Sequence, residues 1–142
     1  MAEMAFQFRL QRVLEYREME EKWAKDHFLE KQAARFEAES ELNEIDKARR
    51  TYLVMGADDL TQRRELELRL QKLDDNERAQ RLLIYTLQEE EEDARAIWLD
   101  KRQDKSIMEK LRERAHEEFK AILEKREQNA LDEFATQRRI AA

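Results

Sequence analysis

Proline and cysteine are missing from this chain altogether, and glycine occurs once in 142 residues. A chain of this length ordinarily carries roughly 10 glycines and about 7 prolines. Without them the tight turns of a β-sandwich or of repeated βαβ units cannot be built, so those folds are excluded. The missing cysteine excludes disulfides, thiol catalysis and cysteine-type zinc sites. One glycine cannot make a glycine-rich phosphate loop or a dinucleotide fingerprint. No apolar run approaches the roughly 20 residues of a bilayer span, and the start lacks the basic-then-apolar pattern of a signal peptide. The chain is therefore expected to be cytoplasmic, with no membrane insertion. Apolar residues at 41% and aromatic residues at 8% are too many for simple disorder. Long helices remain.

Charged residues make up 44% of the chain, with 28 basic against 34 acidic side chains. The signs are mixed, and a net charge of −6 is the reverse of a nucleic-acid footprint. The pairs Arg49-Arg50, Arg63-Arg64 and Arg138-Arg139 have acids close by and read as solubilising surface, as does the acidic run Glu89–Asp93.

Apolar residues recur at steps of three and four on both sides of Gly56. One line runs 6, 10, 13, 17, 20, 24 and onward to 55, and ten of its fifteen positions are apolar. It drifts between Arg17 and Lys31, where Tyr16, Met19, Trp23 and Phe28 lie beside it. A second line runs from Leu66 through Leu70, Leu73, Ile84, Leu87, Ala94, Trp98, Met108, Ala115 and Phe119 to Ile122, with eleven of seventeen positions apolar. Gly56 suits a left-handed helix cap. Asp59 with Gln62 three residues on forms a capping box for a new helix.

The expected fold is all-α: two long helices forming an antiparallel α-helical coiled-coil hairpin, with the C-terminal helix overhanging. Residues 1–142 form a single elongated coiled-coil domain in this reading, with a helix over about 6–55, a hinge near 56–59 and a helix over about 60–139. Folding at Gly56 makes partner numbers sum to roughly 115, which sets Phe6 near Met108 and Glu109 and leaves everything after about Lys110 without a partner in the chain. Leu111, Phe119, Ile122, Leu123, Leu131 and Phe134 lie in that overhang. Each is worth about 1.5–3 kcal/mol when buried, so a partner or self-association is expected to cover them. Trp23 and Trp98 fall within two turns of one level and are expected to pack near each other. A helix continuous through Gly56, pairing two chains, is the competing arrangement, since a mid-helix glycine costs only about 1 kcal/mol.

Catalytic constellations are scarce. His27 and His116 are the only histidines, and Ser40 and Ser106 the only serines. Glu113 and His116 have the Glu-x-x-His spacing of di-iron helices, but such sites need a second copy of the motif. Ala24 stands three residues before His27, so no metal or other cofactor is expected and the chain reads as no enzyme.

The opening Phe6-Gln7-Phe8-Arg9-Leu10-Gln11-Arg12-Val13-Leu14-Glu15-Tyr16-Arg17 and the closing Leu131-Asp132-Glu133-Phe134-Ala135 with Arg138-Arg139 resemble the two ends of the flagellar export protein family FliJ. Trp98 before a basic stretch and Lys110-Leu111-Arg112-Glu113-Arg114 fit the same resemblance, while residues from about 30 to 95 are only compatible with it. The resemblance implies a cytoplasmic, non-catalytic coiled-coil stalk of the flagellar type III export apparatus. Its implied partners are the hexameric export ATPase FliI, the export gate protein FlhA and export chaperones. It implies that Phe6, Phe8, Phe119, Ile122, Leu131, Asp132, Glu133, Phe134, Arg138 and Arg139 face the ATPase ring, and that Leu66, Leu70 and Leu73 near the hairpin end face the gate. An injectisome stalk protein, a generic coiled-coil scaffold and a small carboxylate-using helical enzyme are the other readings of this pattern.

Overall fold

A computed structural model describes residues 5–141. It contains two helices and, among the described residues, no strand: α1 spans Gln11–Met55 and α2 spans Leu60–Ala141. The two helices pack antiparallel as a helical hairpin, as the spacing predicts. None of the described helices is long and apolar enough to cross a membrane.

The link between them is built by local chemistry. Gly56 adopts φ 65°, and its N–H donates to the Tyr52 carbonyl at 3.2 Å, closing the last turn of α1. Asp59 then caps α2: its Oδ1 accepts from the Gln62 N–H at 2.7 Å. The Gln62 side chain returns the bond to the Asp58 N–H at 3.0 Å, one residue earlier than the box predicted from the sequence.

The start of α1 departs from expectation. Residues 5–8 are not helical and residues 9–10 form a turn, so the helix begins at Gln11, five residues after the predicted Phe6. Leu10 stands where a capping side chain would serve, and the Phe6 ring is engaged with α2. Those ring contacts, not local propensity, set the path of the segment. The C-terminal end of α2 lies at Ala141, two residues beyond the predicted Arg139.

The contacts divide the chain into two compact units, Met1–Glu21 with Asp100–Ala142 and Lys22–Leu99. Within Lys22–Leu99 the seam of α2 follows the predicted line throughout, from Leu66 to Trp98. The seam of α1 follows the predicted line except at His27, Glu41 and Met55, which are exposed. Ala24, Lys31, Ala34, Ala38, Ile45, Ala48 and Tyr52 are buried or half-buried as expected, Phe28 and Leu42 replace His27 and Glu41, and Arg35 and Arg49 join Ala34 and Ala48 at the seam. His27 is exposed. Phe28 stacks on Trp98, ring centres 5.4 Å apart and planes 18° apart, while Trp23 is 59% exposed, so the expected tryptophan pair does not form.

Charged and polar seam residues are matched across the helices. Arg35 pairs with Glu91, Arg49 pairs with Glu77, and Gln80 Nε2 donates to the Ala38 carbonyl at 2.9 Å. Arg49 and Arg81 beside Glu77 hold its carboxyl below the usual range. Partner numbers here sum to roughly 121–126 rather than 115. The first turn and a half of α2, residues 60–65, is exposed and acts as part of the connection, so the helices meet from Tyr52 and Leu66 onward.

The unit that joins the chain ends has the same construction. Leu14 and Met108 are buried, Leu14 taking the place expected of Val13. Lys101 pairs with Glu20 at 3.2 Å, Lys105 with Glu21 at 3.7 Å and Arg17 with Asp104 at 3.8 Å. A hydrogen bond from Tyr16, followed by one from Lys101, holds the Glu20 carboxyl below its usual range.

Candidate functional site

Among the described residues, the two ends of the hairpin each present large apolar side chains that are left exposed. The first is in the unit holding both ends. The non-helical segment before α1 lays the Phe6 ring on α2, edge-on to His116 with centres 4.8 Å apart and tilted against Phe119 at 5.6 Å. The Arg112 guanidinium lies 5.7 Å from the same ring, and its Nε donates to Gln11 Oε1 at 3.2 Å. Phe6 is therefore opposite Phe119, three turns beyond the expected Met108 and Glu109, and pairing extends past Lys110. Phe8, Leu10, Leu111, Ala115, Phe119 and Ile122 line an open cleft of about 440 Å³ at this junction.

Beyond Leu123, every described residue of α2 is exposed. Leu131, Phe134 and Ile140 stand out from this stretch, together with Asp132, Glu133, Arg138 and Arg139. The structure thus brings together Phe6, Phe8, Phe119 and Ile122, and sets the other six predicted ring-facing residues about two and a half to five turns further along an uncovered helix. The tail keeps its own local order: Thr136 Oγ1 donates to the Asp132 carbonyl at 2.9 Å and Gln128 Nε2 to Asp132 Oδ1 at 3.3 Å.

The second surface is the hairpin link. Leu53, Val54, Met55 and Leu60 flank Gly56 on both sides and all are exposed, Val54 by 88% and Leu60 by 84%. Leu66, Leu70 and Leu73 are half-buried in the seam instead, where they hold α2 against α1. The exposed four were missed because sequence periodicity searches for the inward stripe. The clustering of large apolar residues against the lone glycine was the available signal.

No cluster of three or more histidine, cysteine or carboxylate side chains suited to a metal occurs among the described residues. His116 spends its ring on Phe6. The described residues thus form a helical hairpin with exposed apolar side chains at its two ends.

The family model "FliJ: Flagellar FliJ protein" matches residues 6–142. The chain belongs to this family and is a component of the flagellar export apparatus. No curated protein and no solved structure matches it.

Proposed function

We propose that this chain is the non-catalytic stalk of a flagellar export ATPase, acting on the cytoplasmic side of the membrane. Its terminal unit docks in a FliI-like hexameric ring. Its hairpin end meets a FlhA-like gate protein, and the chain exchanges with export chaperones. The observation that carries the reading is the uncovered C-terminal stretch of α2. Leu131 and Phe134 lie three residues apart on a helix that α1 no longer covers, and this supports a surface evolved for a partner. The Phe6–His116–Phe119 cluster fixes the start of that surface, and Arg138 and Arg139 place cations on the last turn, favourable to the helix dipole and available to acidic ring residues. For the gate, Leu53, Val54, Met55 and Leu60 are better placed than Leu66, Leu70 and Leu73, because the three seam leucines are occupied in packing.

The test is co-purification of the full chain with a hexameric flagellar export ATPase. Leu131→Ser with Phe134→Ser abolishes capture and stimulation of ATP hydrolysis while helical circular dichroism stays unchanged. Undiminished capture of the double variant refutes the ring assignment. Loss of gate binding in Val54→Ser with Leu60→Ser, but not in conservative seam variants such as Leu73→Met, supports the hairpin assignment.

A further inference from the structure

In the unit that joins the chain ends, α1 is held to α2 by little apolar contact. Its buried and half-buried residues up to Glu21 are Gln11, Leu14, Arg17, Glu20 and Glu21, and only Leu14 is apolar. Arg17, Glu20 and Glu21 meet Asp104, Lys101 and Lys105 of α2. Six charges thus fill a stretch of seam where a coiled coil carries apolar side chains. Arg17, Lys101, Asp104 and Lys105 are 29–36% exposed, so water and salt reach this belt. Ion pairs of that kind add little net stability.

The belt also parts without stranding its members. Arg17 keeps Glu20 at 3.3 Å within α1, and Lys105 keeps Glu109 at 3.8 Å within α2. Glu20 keeps its hydrogen bond from Tyr16. The apolar hold on the segment is Leu14, together with the Phe6 ring on His116 and Phe119. Met108 lies between Asp104 and Arg112, which meet Arg17 and Gln11, so this segment is what buries it. Beneath the segment α2 carries Met108, Leu111, Ala115, Phe119 and Ile122 in one line at steps of three and four. Leu111 and Ile122 of that line are already exposed.

We propose that residues 5–21 form a releasable arm, with Phe6 as its latch and the charged belt as the place where the helices part, and that release bares the apolar line of α2 from Met108 to Ile122. The opening is local and leaves the unit Lys22–Leu99 paired. Salt favours the open state by screening the belt. Loss of the Phe6 ring favours it by removing the latch. The use of the device rests on the function proposed above, in which the bared line lengthens the surface that the end of α2 offers to the ring.

Met108 and Ile84 are each 9% exposed, so the closed fold protects them equally. The absence of native cysteine allows Met108→Cys and Ile84→Cys to be labelled singly in the full chain, with Val54→Cys as the exposed reference. The experiment is alkylation by iodoacetamide, a neutral reagent, at about 0.05 and about 0.5 M sodium chloride. Relative to the reference, Met108→Cys is expected to react at least about tenfold faster than Ile84→Cys, and several-fold faster at the higher salt. Phe6→Ala raises its rate further and leaves Ile84→Cys unchanged. Lys101→Glu with Lys105→Glu also raises it, by setting like charges against Glu20 and Glu21, and adding Glu20→Lys with Glu21→Lys restores the slower rate. Circular dichroism checks that each variant is folded. A Met108→Cys rate no faster than that of Ile84→Cys overturns the proposal, and so does one that salt or Phe6→Ala leaves unchanged. The labelling uses the chain alone, so its failure overturns the arm and leaves the ring assignment standing, whereas Leu131→Ser with Phe134→Ser tests the ring assignment alone.

Discussion

The pair Arg35–Glu91 occupies two seam positions that a simple coiled coil fills with leucine, and it offers a sharp test of what holds the helices in register. The side chains are 19% and 14% exposed, so water still screens the charges but only in part. Arg35 Nη2 donates to Glu91 Oε1 at 3.2 Å alongside a second contact through Nε, and Nη1 reaches Glu39 at 3.0 Å. Glu91, followed by Glu39, pushes the guanidinium pKa further up, so the cation is permanent. Removing one partner strands the other in a half-dry seam. A hydrogen bond to a charged group nets about 1.5–3 kcal/mol. Because Arg35 keeps Glu39, and because solvent screens the site, Glu91→Leu is expected to cost about 1–2 kcal/mol. Arg35→Leu costs a similar amount by leaving Glu91 without its cation. Replacing both puts two leucines face to face, and swaps of this kind are often neutral or stabilising by about 1–4 kcal/mol.

A chain of this size shifts its melting point by about 2–4 °C per kcal/mol. The expected outcome, read by circular dichroism at 222 nm, is that each single variant melts about 2–8 °C below the parent while the double variant melts at or above it. Additive losses in the double variant would refute the reasoning, because they would mean that the two side chains stabilise the hairpin through separate neighbours.

Gly56→Ala has open space for its Cβ, so its cost is the left-handed backbone alone, about 1 kcal/mol, read by urea unfolding; Gly56→Pro should cost several times more, since it cannot reach φ 65° and loses the bond to Tyr52. Phe28→Ala should destabilise by about 2–4 kcal/mol and shift Trp98 emission to the red, whereas Trp23→Ala should stay within about 0.5 kcal/mol. Glu20 and Glu77 both titrate below their ordinary value in the folded chain, so their contribution is complete above that value of about 4.3 and is lost as pH falls through the lower folded values. Melting temperature should therefore be lower at pH 3 than at pH 7, and Glu20→Gln with Glu77→Gln should flatten that dependence.

The link and the seam of α2 from Leu66 to Met108 were legible because each rests on a strong local signal: Gly56, the Asp59–Gln62 cap, and an apolar line that keeps its phase over that span. The phase of α1 was not. The line through Val13, His27 and Glu41 has ten apolar positions in fifteen, and the line through Leu14, Phe28 and Leu42 has a similar share, so apolar counting cannot separate them. What separates them is pairing. Glu21, Arg35 and Arg49 meet Lys105, Glu91 and Glu77, opposite charges already fixed at seam positions of α2. A hydropathy pattern treats those residues as failures of the stripe, although they are the part of it that specifies register. The register error followed from the same source, compounded by treating Gly56 as the symmetry point when residues 60–65 belong to the connection.

The same distinction bears on the end of α2, where full exposure begins after Leu123 and not after about Lys110 as the sequence suggested. Along the paired part of α2, each charged or polar seam residue from Glu77 to Lys105 is answered by a residue of α1: Glu77 by Arg49, Gln80 by Ala38, Glu91 by Arg35, Lys101 by Glu20 and Lys105 by Glu21. The chain has matched what it buries. Beyond Leu123 the apolar residues continue as Leu131, Phe134 and Ile140, but nothing in the described chain covers them. They contribute no packing to the hairpin, and exposed apolar positions of this kind carry a solubility cost in an isolated chain. Under the function proposed above, this exposed apolar stretch is the part of α2 offered to another molecule. That reading needs only the level at which the segment before α1 meets α2 and what α2 presents beyond it.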